Sequence, residues 1–262
     1  MHRPPLSWLI PPLIAHRCGG ALAPENTLAG LRIAAALGCS AVEFDVMLSA
    51  DGAPWLIHDE MLERTSNGTG RVCAKTDTEL YGLDAGVKHH PAFADEPLPR
   101  LDDAAQLARQ LNLMVNLELK PAYGFDEATG KVVAQYIVDN WAPDRWPLVS
   151  SFSFNALAAA RRSAPELAIA CLWERPPGNW RQHVDALGAI ALHCAASELS
   201  DSVLEEAHQH GIAVLCYTVN DAASAEKLLK RGVSAVFTDR IDKLARYCNN
   251  YLPQLKNHPT SF

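Results

Sequence analysis

Short apolar runs alternate with helix-patterned stretches from one end of the chain to the other. The runs LIAHRC (13–18), AVEFDV (41–46), LMVNLELK (113–120), PLVSSF (147–152), LAIACLW (167–173), AIALHCA (189–195), IAVLCYTV (212–219) and SAVFTD (234–239) have the length and branched-aliphatic content of buried strands. Between them the spacing of apolar residues predicts helices near 26–37, 101–111, 126–140, 155–163, 179–187, 201–210, 221–231 and 240–248, the first capped by Asn26 or Thr27. Eight strand and helix units in about 250 residues are the size of a closed (β/α)8 barrel, the TIM-barrel fold. A doubly wound open sheet is the alternative, weakened because no GxGxxG follows the first strand.

Two segments interrupt this rhythm. Residues 60–100 are rich in turn-forming residues (SNGTG, HHPAFADEPLP) and read as a small insertion after the second strand of one domain spanning 1–262. Just before it, Asp51-Gly52 predicts a two-residue hairpin turn, because both central positions of such a turn want φ > 0. With that turn, position i faces position 103 − i: Ala50 faces Ala53, Leu48 faces Trp55, and Asp45 faces His58.

The polar residues inside the apolar runs carry the chemistry. Glu43 and Asp45 are two apart in the second run and therefore share one side of a strand. Like charges side by side among Val, Phe and Leu cost several kcal/mol unless a cation sits between them, which points to a metal ion. In a barrel, function gathers at the C-terminal ends of the strands. There the first strand ends in His16-Arg17, the second carries Glu43 and Asp45 with His58 brought back by the hairpin, and the third carries Asn116, Glu118 and Lys120 on one side. Taken singly, Glu118 with Lys120 reads as a strand-end ion pair and His16 as a core histidine. Together they offer three carboxylates for a hard divalent cation, Mg²⁺ or Ca²⁺, in place of the His/Cys set that zinc prefers. Arg17 and Lys120 supply fixed charge for a phosphate, and His16 and His58 a general acid and base. The reaction class is metal-assisted cleavage of a phosphodiester.

Composition narrows the setting. A formal charge of −7 and a pI near 5.8 argue against a nucleic-acid partner or a stable anionic-membrane contact, so an anionic small-molecule substrate must be held by a few local cations. Seven cysteines without CxxC pairing read as reduced core thiols in a cytoplasmic protein. Arg3, LSWLIPPLIA and the ALA at 21–23 imitate a signal peptide, but four prolines break the apolar stretch and cleavage after Ala23 would remove His16 and Arg17. No run reaches the roughly 20 apolar residues of a membrane span.

The set HRCGG…APENT, EFDVMLSADGAPWLIHDEMLERTSNGTG, NLELK, YTVN and TDR resembles the glycerophosphodiester phosphodiesterase family, most closely its cytosolic bacterial branch, from about Ile14 to Asp239. The resemblance implies a TIM barrel with an insertion after the second strand, a divalent metal on Glu43, Asp45 and Glu118, acid/base work by His16 and His58, and phosphate contacts from Arg17 and Lys120. It implies hydrolysis of glycerophosphodiesters to sn-glycerol 3-phosphate and an alcohol, with a glycerol hydroxyl attacking phosphorus and water opening the cyclic phosphate. A catalytically silent glycerophosphodiester sensor or carrier is an alternative, as is a lysophospholipase D-like barrel acting at membranes. The sequence departs from the family at Cys18, where glycine usually follows His-Arg. If that position has φ > 0 the cysteine is strained, and if it nears the phosphate the thiol narrows the pocket. Glu25, Phe152 and Tyr217 are weaker candidates, Glu25 for the metal site and the two aromatics for a wall beside glycerol.

Overall fold

The structure is a computed structural model and describes residues 11–245. Strand β1 (Leu13–Ala15), β2 (Ala41–Leu48), β4 (Met114–Leu119), β5 (Leu148–Ser151), β6 (Ile169–Leu172), β7 (Ala191–Ala195), β8 (Ala213–Tyr217) and β9 (Ala235–Thr238) run parallel in that order. β1 is hydrogen-bonded to both β9 and β2, which closes the barrel. β3 (Pro54–Leu56) pairs antiparallel with β2 outside the ring. Around the barrel lie α1 (Leu28–Ala36), α3 (Leu101–Gln110), α4 (Asp126–Asn140), α5 (Phe154–Ser163), α6 (Trp180–Leu187), α7 (Asp201–Gln209) and α8 (Ala222–Lys230), while α2 (Asp77–Tyr81) belongs to the insertion. Residues 241–245 are helical, and the rest of the helix expected to 248 lies outside the described residues, as does the signal-like segment before residue 11. No helix among the described residues is long and apolar enough to cross a membrane.

Alternation along the strands explains both cores. All eight residues of β2 are buried. Val42, Phe44 and Val46 face outward into the core beneath the helices, which leaves Glu43 and Asp45 pointing into the barrel. Burying those three apolar side chains contributes roughly 1.5–3 kcal/mol each, enough to hold the inward carboxylates away from bulk water. β4 repeats the scheme with Val115, Leu117 and Leu119 outward and Asn116 and Glu118 inward. Below the charged residues the barrel interior is filled by Ile14, Ala41, Leu148, Ala170, Ala191, Leu215, Ala235 and Phe237. The helices follow their periodicity: α3 buries Leu101, Ala104, Ala105 and Ala108, one stripe of its surface. Thr27, one of the two expected caps, closes α1 by accepting the Gly30 N–H at 3.2 Å.

Two expectations are corrected. β1 stops at Ala15, short of Cys18, because Arg17 (φ 49°) and Cys18 (φ 72°) are left-handed and cannot extend a strand. The hairpin register is one residue off: Val46 faces Leu56, Met47 faces Trp55 and Leu48 faces Pro54. Ile57, not His58, stands opposite Asp45 and donates its N–H to the Asp45 carbonyl at 3.1 Å. The cause is a three-residue loop, Ala50 to Gly52, in which only Gly52 is left-handed (φ 80°). Contacts with the insertion select it, since Asp51 accepts the Asp77 N–H at 2.7 Å and Ala50 donates to the Lys75 carbonyl at 2.8 Å. The insertion is itself packed, with Met47, Trp55, Ile57, Leu62, Val72, Leu80 and Leu98 in a small core of their own.

Candidate active site

A cavity of about 380 Å³ opens at the C-terminal ends of the barrel strands, and all seven candidate residues, His16, Arg17, Glu43, Asp45, His58, Glu118 and Lys120, line it. Glu43 and Asp45 arrive on β2 and Glu118 on β4, with Asp45 and Glu118 directly paired across the two strands. His16 and Arg17 follow β1. His58 comes from the turn after β3, so the slipped register still delivers it, because β3 has ended two residues earlier.

The three carboxylates present oxygens that all lie within 4.8 Å of one another, and all three residues are buried. Burial, then the neighbouring charges of Asp45 and Glu118, push the Glu43 carboxyl well above its ordinary range. Burial and then Asp45 raise Glu118 as well, with Lys120 working against the rise. Glu43 Oε1 is buried without a hydrogen-bond partner among the described residues. Crowded, desolvated oxygen donors with an open lone pair are a fit for a hard divalent cation. One oxygen of each carboxylate is held by the protein: Arg17 N–H donates to Glu43 Oε2 at 2.8 Å and Lys120 Nζ to Glu118 Oε1 at 2.8 Å. Asn26 clamps Asp45 twice, its Nδ2 donating to Asp45 Oδ2 at 2.8 Å and its Oδ1 accepting the Asp45 N–H at 3.0 Å.

Each imidazole is oriented by an aspartate. His16 Nδ1 lies 2.7 Å from Asp239 Oδ1, and His58 Nδ1 lies 2.6 Å from Asp59 Oδ1. Arg64, donating to Asp59 Oδ2 at 2.5 Å, and then His58 hold Asp59 at a pKa of about 2, so it is an ionised acceptor. Against burial, His16 and Asn220 hold Asp239 below the ordinary carboxylate range too, so each aspartate accepts the Nδ1 proton of its histidine, which leaves each Nε2 for the cavity. Burial and the charge of Lys120 lower His58 below the ordinary histidine range, against the pull of Asp45 and Asp59. Neither aspartate was assigned a role from the sequence, although both stand in motifs that it displays, His58-Asp59 and TDR. An acid directly after His58 is the signal that could have found Asp59, whereas Asp239 lies 223 residues from His16 and only the fold brings the two together.

The weaker candidates sort cleanly. Glu25 accepts from Arg17 Nη1 at 3.1 Å and from both terminal nitrogens of Arg64 at 2.7 Å, so it belongs to the arginine network. Phe152 and Tyr217 both line the cavity, stacked edge to face with centroids 6.3 Å apart, and Lys120 Nζ sits 5.2 Å from the Phe152 ring centre. Cys18 is fully buried with the φ > 0 that was expected to strain it, and it is not part of the cavity lining. Its side chain turns to α1, where glycine makes room: a Cβ added to Gly30 would lie 2.8 Å from the Cys18 Cβ. Burial, then Glu43 and Asp45, raise its thiol well above the ordinary range, opposite to what a nucleophile needs.

Comparison with known proteins gives the same picture. A family model described as the glycerophosphoryl diester phosphodiesterase family matches residues 16–243. A glycerophosphodiester phosphodiesterase of Caldanaerobacter subterraneus subsp. tengcongensis is 31% identical over 231 residues, covering 87% of this chain and 93% of that protein. Among solved structures, an Oleispira antarctica phosphodiesterase in complex with the product sn-glycerol-3-phosphate superposes with a TM-score of 0.88 at 35% identity, covering 92% of this chain and 97% of the other. A glycerophosphodiester phosphodiesterase from Agrobacterium tumefaciens superposes with a TM-score of 0.73 at 29% identity, covering 88% and 96%.

Proposed function

Because the chain belongs to the glycerophosphoryl diester phosphodiesterase family, we propose that it hydrolyses glycerophosphodiesters such as glycerophosphocholine and glycerophosphoethanolamine to sn-glycerol 3-phosphate and an alcohol. The observation that carries this reading is the convergence, in one cavity, of three buried carboxylates, two aspartate-oriented imidazoles and two cations. Glu43, Asp45 and Glu118 hold a divalent cation, Mg²⁺ or Ca²⁺. When bound, that ion supplies charge stabilisation for the phosphoryl oxygens. Arg17 and Lys120 grip the phosphate from the chain's own side, Arg17 with two donors in a fixed fork.

His16 and His58 exchange the protons. With Nδ1 tied to an aspartate, each ring offers Nε2 to the reacting oxygens, one taking a proton from the attacking hydroxyl and the other returning one to the departing alcohol. The attacking hydroxyl belongs to glycerol itself, giving a cyclic phosphate that water then opens with the two roles reversed. Asp239 and Asp59 stabilise the charged ring that forms transiently at each histidine. The Oleispira antarctica neighbour, in complex with the product sn-glycerol-3-phosphate, supports a small-molecule phosphate ligand.

The test is release of sn-glycerol 3-phosphate from glycerophosphocholine and glycerophosphoethanolamine, with Mg²⁺, with Ca²⁺ and with EDTA. Release with a divalent ion that stops with EDTA is the expected result. Binding of either diester without turnover under every metal condition would overturn it in favour of a silent carrier.

A further inference from the structure

Part of the cavity wall is polar but uncharged. Asn116 on β4, Ser150 on β5 and His193 on β7 all line it, and all three are buried, at 3%, 0% and 1% exposure. β7 is the strand diametrically opposite β2 in the ring of eight, so His193 faces the carboxylates from across the barrel. Asn116 Nδ2 donates to Ser150 Oγ at 3.0 Å. His193 Nε2 and Asn116 Oδ1, in contrast, are buried with no hydrogen-bond partner among the described residues. A buried polar atom left this way costs roughly 1–3 kcal/mol. The His193 ring packs on Phe237, with centroids 5.2 Å apart. Burial alone pushes it down to about 3, so it is a neutral imidazole with one donor and one acceptor nitrogen.

Asn116 Oδ1 needs a donor and His193 Nε2 takes a donor or an acceptor according to its tautomer, and a hydroxyl can serve either atom. A phosphate would be buried there beside Glu43, the cross-strand neighbour of Asn116, where it meets repulsion and no countercharge. Resting on the function proposed above, the parts of the substrate then sort by chemistry. The phosphate stays with Arg17 and Lys120, and the hydroxyl next to the phosphorylated carbon must reach phosphorus. The alcohol beyond phosphorus has an open route past Phe152, Tyr217 and Thr218, residues shared with a wider groove of about 640 Å³ that also carries Glu174 and Asp221. One uncharged group remains. We infer that His193, with Asn116 Oδ1, receives the terminal hydroxyl of the glycerol moiety and makes this enzyme selective for glycerol diesters over diesters of shorter or less hydroxylated diols.

The experiment compares glycerophosphocholine with the phosphocholine diester of 1,2-propanediol, which keeps the hydroxyl next to the phosphorylated carbon and lacks only the terminal one. Wild-type enzyme is expected to prefer the glycerol diester by about 10- to 100-fold in kcat/KM, the range for removing the partner of buried polar groups. His193→Leu is expected to lose that preference by slowing on glycerophosphocholine while staying within about threefold on the propanediol diester, whose turnover also reports that the variant is folded. His193→Gln, which keeps a donor and an acceptor, is expected to recover part of the preference and serves if the leucine variant does not fold. Equal wild-type rates on the two diesters, or an equal loss on both in the variants, would overturn the assignment and leave the phosphodiesterase reading intact. Failure of wild type on every glycerophosphodiester would overturn both.

Discussion

Replacing Asn26 with alanine tests how the fold holds Asp45. Asn26 is 2% exposed, left-handed (φ 57°), and bonded through both side-chain atoms to Asp45, at 2.8 Å to the carboxylate and 3.0 Å to the backbone N–H. Alanine orphans a buried N–H, roughly 1–3 kcal/mol, and removes a donor from a buried carboxylate, roughly 1.5–3 kcal/mol. It also places a Cβ without a compensating polar group in the left-handed region, about 1 kcal/mol. Together these come to about 3.5–7 kcal/mol, a large share of the roughly 5–15 kcal/mol that holds an ordinary domain together. Urea unfolding followed by circular dichroism in divalent-free buffer measures it directly, and the matching fall in Tm for a domain of this size is about 7–28 °C. Asn26→Gly should regain about 1 kcal/mol of the loss, since glycine accepts the backbone angle but restores neither hydrogen bond. A loss below 1 kcal/mol in Asn26→Ala would mean that the clamp on Asp45 contributes little and that the carboxylate is held by something else.

Other outcomes follow from the same structure. Mg²⁺ or Ca²⁺ should raise the Tm of the wild-type protein and fail to raise that of Glu43→Gln, a readout independent of turnover; an equal rise in both would move the cation elsewhere. The folded state holds His193 neutral down to about 3 while the unfolded chain protonates it near 6.5. Its contribution is therefore complete above pH 6.5 and lost as pH falls toward 3, at about 1.4 kcal/mol per pH unit for one proton. His193→Leu should be less steep by that amount between pH 6 and 4 in unfolding titrations, and identical slopes would contradict a buried neutral ring. Cys18→Gly should keep activity within about threefold, because the thiol faces α1 and not the cavity; loss of activity comparable to His16→Ala would restore a chemical role for the thiol.

Most of the barrel was legible because each strand declares itself by composition. AVEFDVML alternates so strictly that its polar residues could be assigned to one side before any neighbour was known, and the same held for Asn116, Glu118 and Lys120. The hairpin was misread by one residue because turn type depends on what the turn touches: Asp51 is occupied by the Asp77 backbone, and only Gly52 takes φ > 0. The insertion looked irregular because its core is assembled from scattered residues, Trp55, Leu62, Val72 and Leu80, with no common period. Asp59 and Asp239 escaped assignment because one contact spans a single step in sequence and the other 223 residues. His193 sits in an ordinary strand pattern, ALHCA, and only barrel closure brings it across from the carboxylates.

In the proposed reaction His16 and His58 exchange protons over one phosphodiester held between Arg17, Lys120 and the carboxylates. Phosphorus NMR of glycerophosphocholine turnover, with saturating divalent cation, tests it in wild type, His16→Ala and His58→Ala. Wild type is expected to release sn-glycerol 3-phosphate and each variant to be slower by about 10² or more, the usual loss for an acid/base group. Wild-type rates in both variants, with each shown to be folded and to bind the diester, would contradict it.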